Sequence, residues 1–259
     1  MRQVPLAIVV PTRNSSALLP RLVRSLQEQT WGDWRLILVD ASTLPGERPF
    51  LEQLVCADSR FSWVPQAADG TGIYGAMNIG FRLLQPDEWA LFWGSDDWAA
   101  TPWSLQDALS DSSLQGCDLL VCRGRYMRPE PEGALRLDRV TSFRWFLSYR
   151  LSLFLGSTPP HQCTLIGPGA RRLLDRYDDQ FRIAADLDYF LKLALGRSCR
   201  VRTSPVLLID MAVGGVSGVE HRRRFHEVTV AYRRAFALFW FFPFLMRYFQ
   251  RIITLLGLP

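Results

Sequence analysis

Lysine is almost missing from this chain: of its 30 lysine and arginine residues only Lys192 is a lysine. The five cysteines, Cys56, Cys117, Cys122, Cys163 and Cys199, form no C-x-x-C pair and no zinc-ligand spacing. That excludes a disulfide framework and a zinc ribbon. An odd, scattered set reads as reduced thiols in a cytosolic compartment. No basic segment followed by a long apolar run and a cleavage site opens the chain, so export is not expected; "PLAIVV" stops at Pro11 and reads as a buried strand. Internal repeats and low-complexity tracts are also missing. Aromatic and basic residues do not interleave as base-stacking surfaces require, which argues against a nucleic-acid partner.

What is present describes a folded globular protein. Its 259 residues are 48% hydrophobic and 21% charged, enough to bury a sizeable core. The net charge of +5 and a pI near 9.2 suit phosphate-bearing ligands or an anionic membrane. Arginine's planar fork matches diphosphates, although genome base composition explains the same bias.

Short apolar runs alternate with helical periodicity over the first hundred residues. "LAIVV" (6–10), "RLILV" (35–39), "FSWV" (61–64) and "WALFW" (89–93) read as strands. Helices are expected at 18–26, 47–57 and 75–84. This rhythm predicts an α/β fold with a mostly parallel sheet flanked by helices. Past residue 100 the pattern loosens. A helix capped by Thr101-Pro102, a strand "DLLVC" (118–122), a turn at "RPEPEG", and near-helical spacing in "SFRWFLSYRLSLFLG" follow. Helices near 169–176 and 185–195 and a strand at 205–209 complete the body. The expected division is a nucleotide-binding half (1–100), a second half of the same domain (101–218), and a basic, amphipathic tail (219–259).

In "DGTGIYGAMNIG" (69–80), Gly70, Gly72 and Gly75 spell the G-x-G-x-x-G of dinucleotide sites, with Asp96 about 20 positions on. That would make the chain a nicotinamide-dependent oxidoreductase. The fingerprint, however, needs its first glycine directly after a strand, and Pro65 to Asp69 intervene. The first βαβ unit has "PTRN" at its turn instead.

The acids are better placed. Asp40 ends the second strand, and Asp96-Asp97 follow "WALFW". The C-terminal edge of parallel strands is where an open α/β sheet binds its ligand. Two adjacent carboxylates after a buried strand call for a positive partner, and Mg²⁺ or Mn²⁺ with a nucleoside diphosphate fits. A helix cap or solvated loop in "GSDDWAATP" is the plainer alternative.

At these residues the chain resembles the inverting family 2 glycosyltransferases of GT-A (Rossmann-like) fold, over about residues 5–215. "IVVPTRN" and "LVDAST" look like that family's opening strand and acidic strand end. "DGTGIYGAMNIG" is similar to a segment of the branch that assembles bacterial exopolysaccharide and O-antigen. "FWGSDDW" resembles its metal-binding motif, and "PPHQCTLIG" an acceptor-side motif. "YDDQFRIAADLDYFLKL" resembles the segment carrying the catalytic base, and "GGVS" a closing loop. Gly75 and Leu44 stand where that branch commonly has acids, so the donor's base and sugar do not carry over.

The resemblance implies roles. Asp186 is the catalytic base, and Asp188 on another helix face is structural. Asp97 ligates Mg²⁺ or Mn²⁺, with Asp96 reaching the metal or the ribose. Pro11, Thr12, Arg13, Asn14 and Asp40 line the nucleoside pocket, and Asp69, Gly72 and Asn78 the donor wall. His161 and Gln162 contact acceptor or diphosphate. Arg222, Arg223 and Arg224 either close over the diphosphate or form a solvated helix face. The implied partners are a nucleoside-diphosphate sugar and a lipid-linked glycan acceptor. An idle scaffold of the same fold is the rival reading.

In the tail, Arg247, Gln250, Arg251 and Thr254 make one polar stripe on an apolar helix. Burying each arginine mid-membrane costs about 2.5–3.5 kcal/mol. The helix from Phe244 to Leu258 reaches about 22 Å, short of a ~30 Å hydrocarbon core. The expectation is an interfacial helix on an anionic cytoplasmic leaflet, near the basic residues Arg222–Arg224, Arg233 and Arg234. Packing of the stripe on the catalytic body or on a neighbouring subunit is the alternative.

Overall fold

The computed structural model describes residues 4–66, 72–110, 114, 116–130, 134–196, 199–214 and 220–255, with side chains to Gln250. Asp69 and Gly70, and the end of the "GGVS" loop, lie outside these residues.

The first half is a parallel sheet in the order β3-β2-β1-β4. It is formed by β1 (Leu6–Thr12), β2 (Trp34–Asp40), β3 (Phe61–Pro65) and β4 (Trp89–Phe92). Because side chains alternate along a strand, β1 sends Ala7 and Val9 to one face and Leu6, Ile8 and Val10 to the other. Both faces are covered, and all five residues are buried. One face carries α1 (Leu19–Gln27), which buries Leu19, Leu22, Val23 and Leu26 at helical spacing and takes Pro20 in its first turn. The other carries α3 (Gly72–Leu83). There Gly80 lies so close to β1 that a Cβ would meet Val9 Cγ1 at 2.3 Å. Between them in sequence, α2 (Glu47–Ala57) flanks β3.

The second half is mixed rather than parallel. A two-residue strand β5 (Trp98–Ala99) precedes α4 (Ser104–Leu109). Then β6 (Leu119–Pro129) outgrows the expected "DLLVC" and folds back through a hairpin onto β7 (Leu135–Val140). The three-residue β8 (Thr164–Ile166) wedges antiparallel between β4 and β6, so one sheet joins both halves. The last strand, β9 (Val201–Ala212), runs parallel to β6 and antiparallel to β5.

Three helices matter for the site: α5 (Tyr149–Phe154), α6 (Pro168–Leu173) and α7 (Ala185–Leu195). Helical spacing in 142–154 yields a helix only from Tyr149. Upstream, the Arg144 N–H donates to Ser157 Oγ (2.7 Å) and the Phe146 N–H to Ser152 Oγ (2.9 Å), so those donors are spent on side chains. The chain ends in α8 (His221–Phe236), a 3-10 turn (Ala237–Phe239) and α9 (Phe241–Leu255). Pro243 falls in the first turn of α9, where its missing N–H costs nothing.

Candidate active site

Three strand ends meet at the C-terminal edge of the parallel half. Thr12 and Asp40 pair across β1 and β2. Thr12 Oγ1 donates to Asp40 Oδ1 at 2.7 Å, and Ser42 Oγ donates to the same oxygen at 2.6 Å. Asn14 takes a left-handed backbone (φ 54°) and accepts the N–H groups of Thr43 and Leu44, at 3.0 and 3.2 Å. Its own N–H donates to Ser42 Oγ at 2.6 Å. The Asp40 loop is therefore tied down before any ligand arrives. Pro11 ends beside it and Arg13 is exposed to solvent. Gly72 opens α3 at φ 66°, and its carbonyl accepts from Gln66 Nε2 at 2.8 Å.

After β4 the chain turns tightly at Gly94. Its N–H donates to Asp97 Oδ2 at 2.7 Å, and the Asp97 N–H returns to the Gly94 carbonyl at 3.2 Å. Asp97 is 4% exposed. Burial, and then the adjacent Asp96 charge, push its carboxyl well above the usual carboxylate range; hydrogen bonds from the Gly94 and Ala212 backbones pull the other way. A Cβ at Gly94 would meet Asp96 Oδ1 at 2.7 Å and Asp97 Oδ2 at 3.0 Å, so both carboxylates converge over this glycine. Among the described residues no group of three or more His, Cys, Asp or Glu is placed to hold a metal ion. Two acids alone fit a Mg²⁺ or Mn²⁺ that takes its other oxygens from a diphosphate and water.

Asp186 stands in the first turn of α7 and is partly exposed. Tyr74 of α3 reaches over to it, sharing its hydroxyl proton between Asp186 Oδ1 (3.2 Å) and the Ile183 carbonyl (3.0 Å). His161 lies in a 3-10 turn (His161–Cys163), with its ring stacked on Phe92, the last residue of β4, at 5.8 Å. Its Nε2 bonds to Tyr177 Oη at 2.7 Å. Burial pushes the His161 imidazole below its ordinary value, and the Asp186 charge opposes this. Asp186, His161 and the end of β4 thus share one neighbourhood at the edge where Gly94–Asp97 begins. Gln162 offers its carbonyl to Trp93 Nε1 at 3.0 Å.

Other residues stand behind the site. Asn78 uses both ends of its amide on the Tyr177 backbone, at 2.9 and 2.7 Å, and so anchors the segment leading to Asp186. Asp188 is buried and pairs with Lys192 at 2.6 Å. Burial raises its carboxyl, and Lys192 works against that rise. Removing the cation as Lys192→Met is expected to destabilise the fold by about 2–3 kcal/mol. That is less than a fully buried pair, because Lys192 is 43% exposed. Because both proteins share the same unfolded state, the deficit is largest above the variant's further-raised folded value, shrinks as pH falls through it, and is gone once Asp188 is protonated in the folded wild type as well. Urea melts of both proteins at several pH values check this.

One feature carries no signal in the linear sequence. Glu227 of α8 is 8% exposed and accepts the N–H groups of Arg182 (3.1 Å), Ile183 (2.8 Å) and Ala184 (3.0 Å), holding the backbone that leads into α7 just before Asp186. Arg224 comes within electrostatic reach of Asp186, and its guanidinium is pushed down by burial and by Arg247. Of its neighbours, Arg223 pairs with Glu220 at 2.6 Å. Tyr74, by contrast, sits inside the glycine-rich motif that the sequence reading singled out.

A parallel half-sheet whose strand ends carry Asp40 and Asp96-Asp97, extended by a mixed second half and flanked by helices, is a GT-A-like fold. The chain belongs to glycosyl transferase family 2, whose model matches residues 7–164. It is 27% identical over 191 residues to a PGL/p-HBAD biosynthesis glycosyltransferase of Mycobacterium bovis, covering 72% of this chain and 68% of that one. Proteins of the same description from Mycobacterium tuberculosis match equally. Among solved structures, S. aureus TarS superposes with a TM-score of 0.68 at 15% identity. That match covers 95% of this chain but only 43% of TarS. The Pyrobaculum calidifontis mannosyltransferase PcManGT, solved with GDP-Man and Mn²⁺, gives a TM-score of 0.63 at 16% identity, covering 91% and 64%. These two likenesses speak to the fold.

Proposed function

We propose that this enzyme transfers a sugar, with inversion, from a nucleoside-diphosphate sugar to an acceptor hydroxyl. The reading is supported by Asp186, held by Tyr74 and within electrostatic reach of His161, whose ring stacks on Phe92 at the end of the strand that leads to Asp96 and Asp97. In the reaction the acceptor oxygen bonds to the anomeric carbon as the bond from that carbon to the diphosphate breaks. The acceptor proton goes to Asp186, and the bonding pair leaves with the diphosphate. Tyr74 orients the carboxylate through Oδ1 and leaves Oδ2 to take the proton. Pro11, Thr12, Arg13, Asn14 and Asp40 would line the nucleoside, with Gly72 toward the donor and Asn78 supporting that wall; Asp69, outside the described residues, is assigned to the donor by its motif alone. Asp97 and Asp96 would hold a Mg²⁺ or Mn²⁺, which would supply positive charge toward the leaving diphosphate. His161, whose imidazole burial pushes below its ordinary value, and Gln162 border the acceptor side.

The solved relatives in complex with UDP-GlcNAc and with GDP-Man and Mn²⁺ support a nucleotide-sugar donor and a divalent ion. We read the acceptor as a lipid-linked glycan in cell-surface polysaccharide synthesis, met at the cytoplasmic face of the membrane. A thermal-shift panel of UDP, GDP, dTDP and NAD, each with and without Mn²⁺, tests the reading. One nucleoside diphosphate is expected to raise the melting temperature by several degrees only when Mn²⁺ is present, roughly 2–4 °C per kcal/mol of binding linkage. A response to NAD alone would overturn it.

A further inference from the structure

The amphipathic helix α9 is turned inside out. Arg247, in its polar stripe, faces the body and donates to Thr158 Oγ1, while Phe244 is buried among Phe225, Tyr232 and Trp240. Phe241, Phe242, Leu245 and Phe249 are left 46–55% exposed along one outward face. The 3-10 turn before α9 continues that surface, with Leu238 93% and Phe239 73% exposed. A third piece comes from a distant part of the chain. Leu147, also 93% exposed, precedes α5, and a groove of about 530 Å³ between α5 and the 3-10 turn brings the two segments side by side. Ser148, Leu151, Phe154, Phe236 and Phe239 line this groove, and Arg150 sits at its rim. Leu147 and Ala237, next to Leu238, both hold positive φ, 30° and 47°, which non-glycine residues rarely adopt.

Charge identifies the occupant. No aspartate or glutamate occurs from 139 to 174 or from 228 to 259; Arg150 lines the groove and Arg233 stacks on Trp240, while Arg234 pairs with Asp178 and Arg247 faces the body. A second copy of the chain would bring like charge against like. An anionic lipid bilayer supplies both an apolar interior and opposite charge. Among the described residues no helix is long and apolar enough to cross a membrane, so the contact lies in the interface plane.

We infer that Leu147, the Leu238-Phe239 turn and the outward face of α9 form one platform that seats on an anionic bilayer. This deepens the peripheral reading above, moving the contact from a tail alone to a surface shared with the segment before α5. The platform is rigidly joined to the acceptor side. The backbone of Gly156 packs directly on that of Met246 and Arg247, and Thr158, which Arg247 holds, lies three residues before His161.

The test is co-sedimentation of the full chain with phosphatidylglycerol-containing vesicles and with phosphatidylcholine vesicles, at low and high salt. Wild type is expected to pellet with the anionic vesicles and to be released by salt. The double variant Leu147→Asp/Leu238→Asp should bind about tenfold or more weakly, because inserting two leucines supplies much of the attraction. Arg150→Glu should weaken binding to anionic vesicles only. Both leucines are solvent-exposed, so an unchanged melting temperature is expected; should the double variant melt early, Leu147→Ser and Phe239→Ser replace it. Wild type that stays in solution, or variants that pellet like wild type, would overturn the platform. So would a dimer in light scattering that the leucine variants dissociate. Nucleotide binding measured alongside separates the two failures. Lost vesicle binding with intact nucleotide response sinks only the platform, and lost nucleotide response sinks the transferase reading.

Discussion

Asp186→Asn is expected to lower turnover by about 10²–10⁴-fold while leaving nucleotide affinity close to wild type. Asparagine is nearly isosteric and still offers an oxygen to Tyr74, so the first turn of α7 keeps its shape. It cannot take the acceptor proton. The measurement is kcat for sugar transfer beside the thermal shift with nucleotide and Mn²⁺. A kcat within a few-fold of wild type would move the base elsewhere. Neither obvious substitute is placed for the role. His161 is buried, bonded through Nε2 to Tyr177 and pushed toward its neutral form. Asp188 is buried and paired with Lys192.

Glu227→Ala should be the most damaging single change away from the reacting groups. The residue at the N-cap of α7 is Ala184, whose side chain cannot accept a hydrogen bond. Glu227, arriving from α8, instead holds three successive N–H groups, those of Ala184 and the two residues before it, and its negative charge faces the positive end of the helix dipole. Hydrogen bonds to a charged group contribute about 1.5–3 kcal/mol each, and stranding buried donors adds desolvation cost. A loss of roughly 3 kcal/mol or more is expected, a drop in melting temperature of about 6–12 °C. Because the held segment ends two residues before Asp186, kcat should fall more than KM rises, even below the new melting point. Glu227→Gln keeps an acceptor without the charge and should fall between alanine and wild type in both measurements. Melting of Glu227→Ala within about 1 °C of wild type would remove this hold from the account.

Much of the fold was legible in residue order. Strands at 6–10, 35–39, 61–64 and 89–93 correspond to β1 to β4, because a buried parallel strand advertises itself as a short, mostly apolar run. The helix at 185–195 matches α7 to the residue. The sequence missed β8, three residues long and too short to show any period. It also read 142–154 as more helical than it is, since nothing local reveals that Ser152 and Ser157 take up backbone donors there. In the site, Asp40, Asp96-Asp97, His161 and Asp186 could be picked out as chemistry-bearing residues, but their partners could not.

Residue order alone settled what is periodic or adjacent: the alternation of strand and helix, the acids at strand ends, and the apolar tail with its polar stripe. Folding alone chose the partners. Tyr74 meets Asp186 across 112 positions, Asn78 meets Tyr177 across 99, and Glu227 holds Ala184 across 43. It also chose which side of α9 turns inward. Periodicity marks a helix as two-faced, yet which face is buried depends on what the packed body offers it, and here Thr158 takes Arg247 and Phe244 is buried while Phe241, Phe242 and Phe249 are left outside.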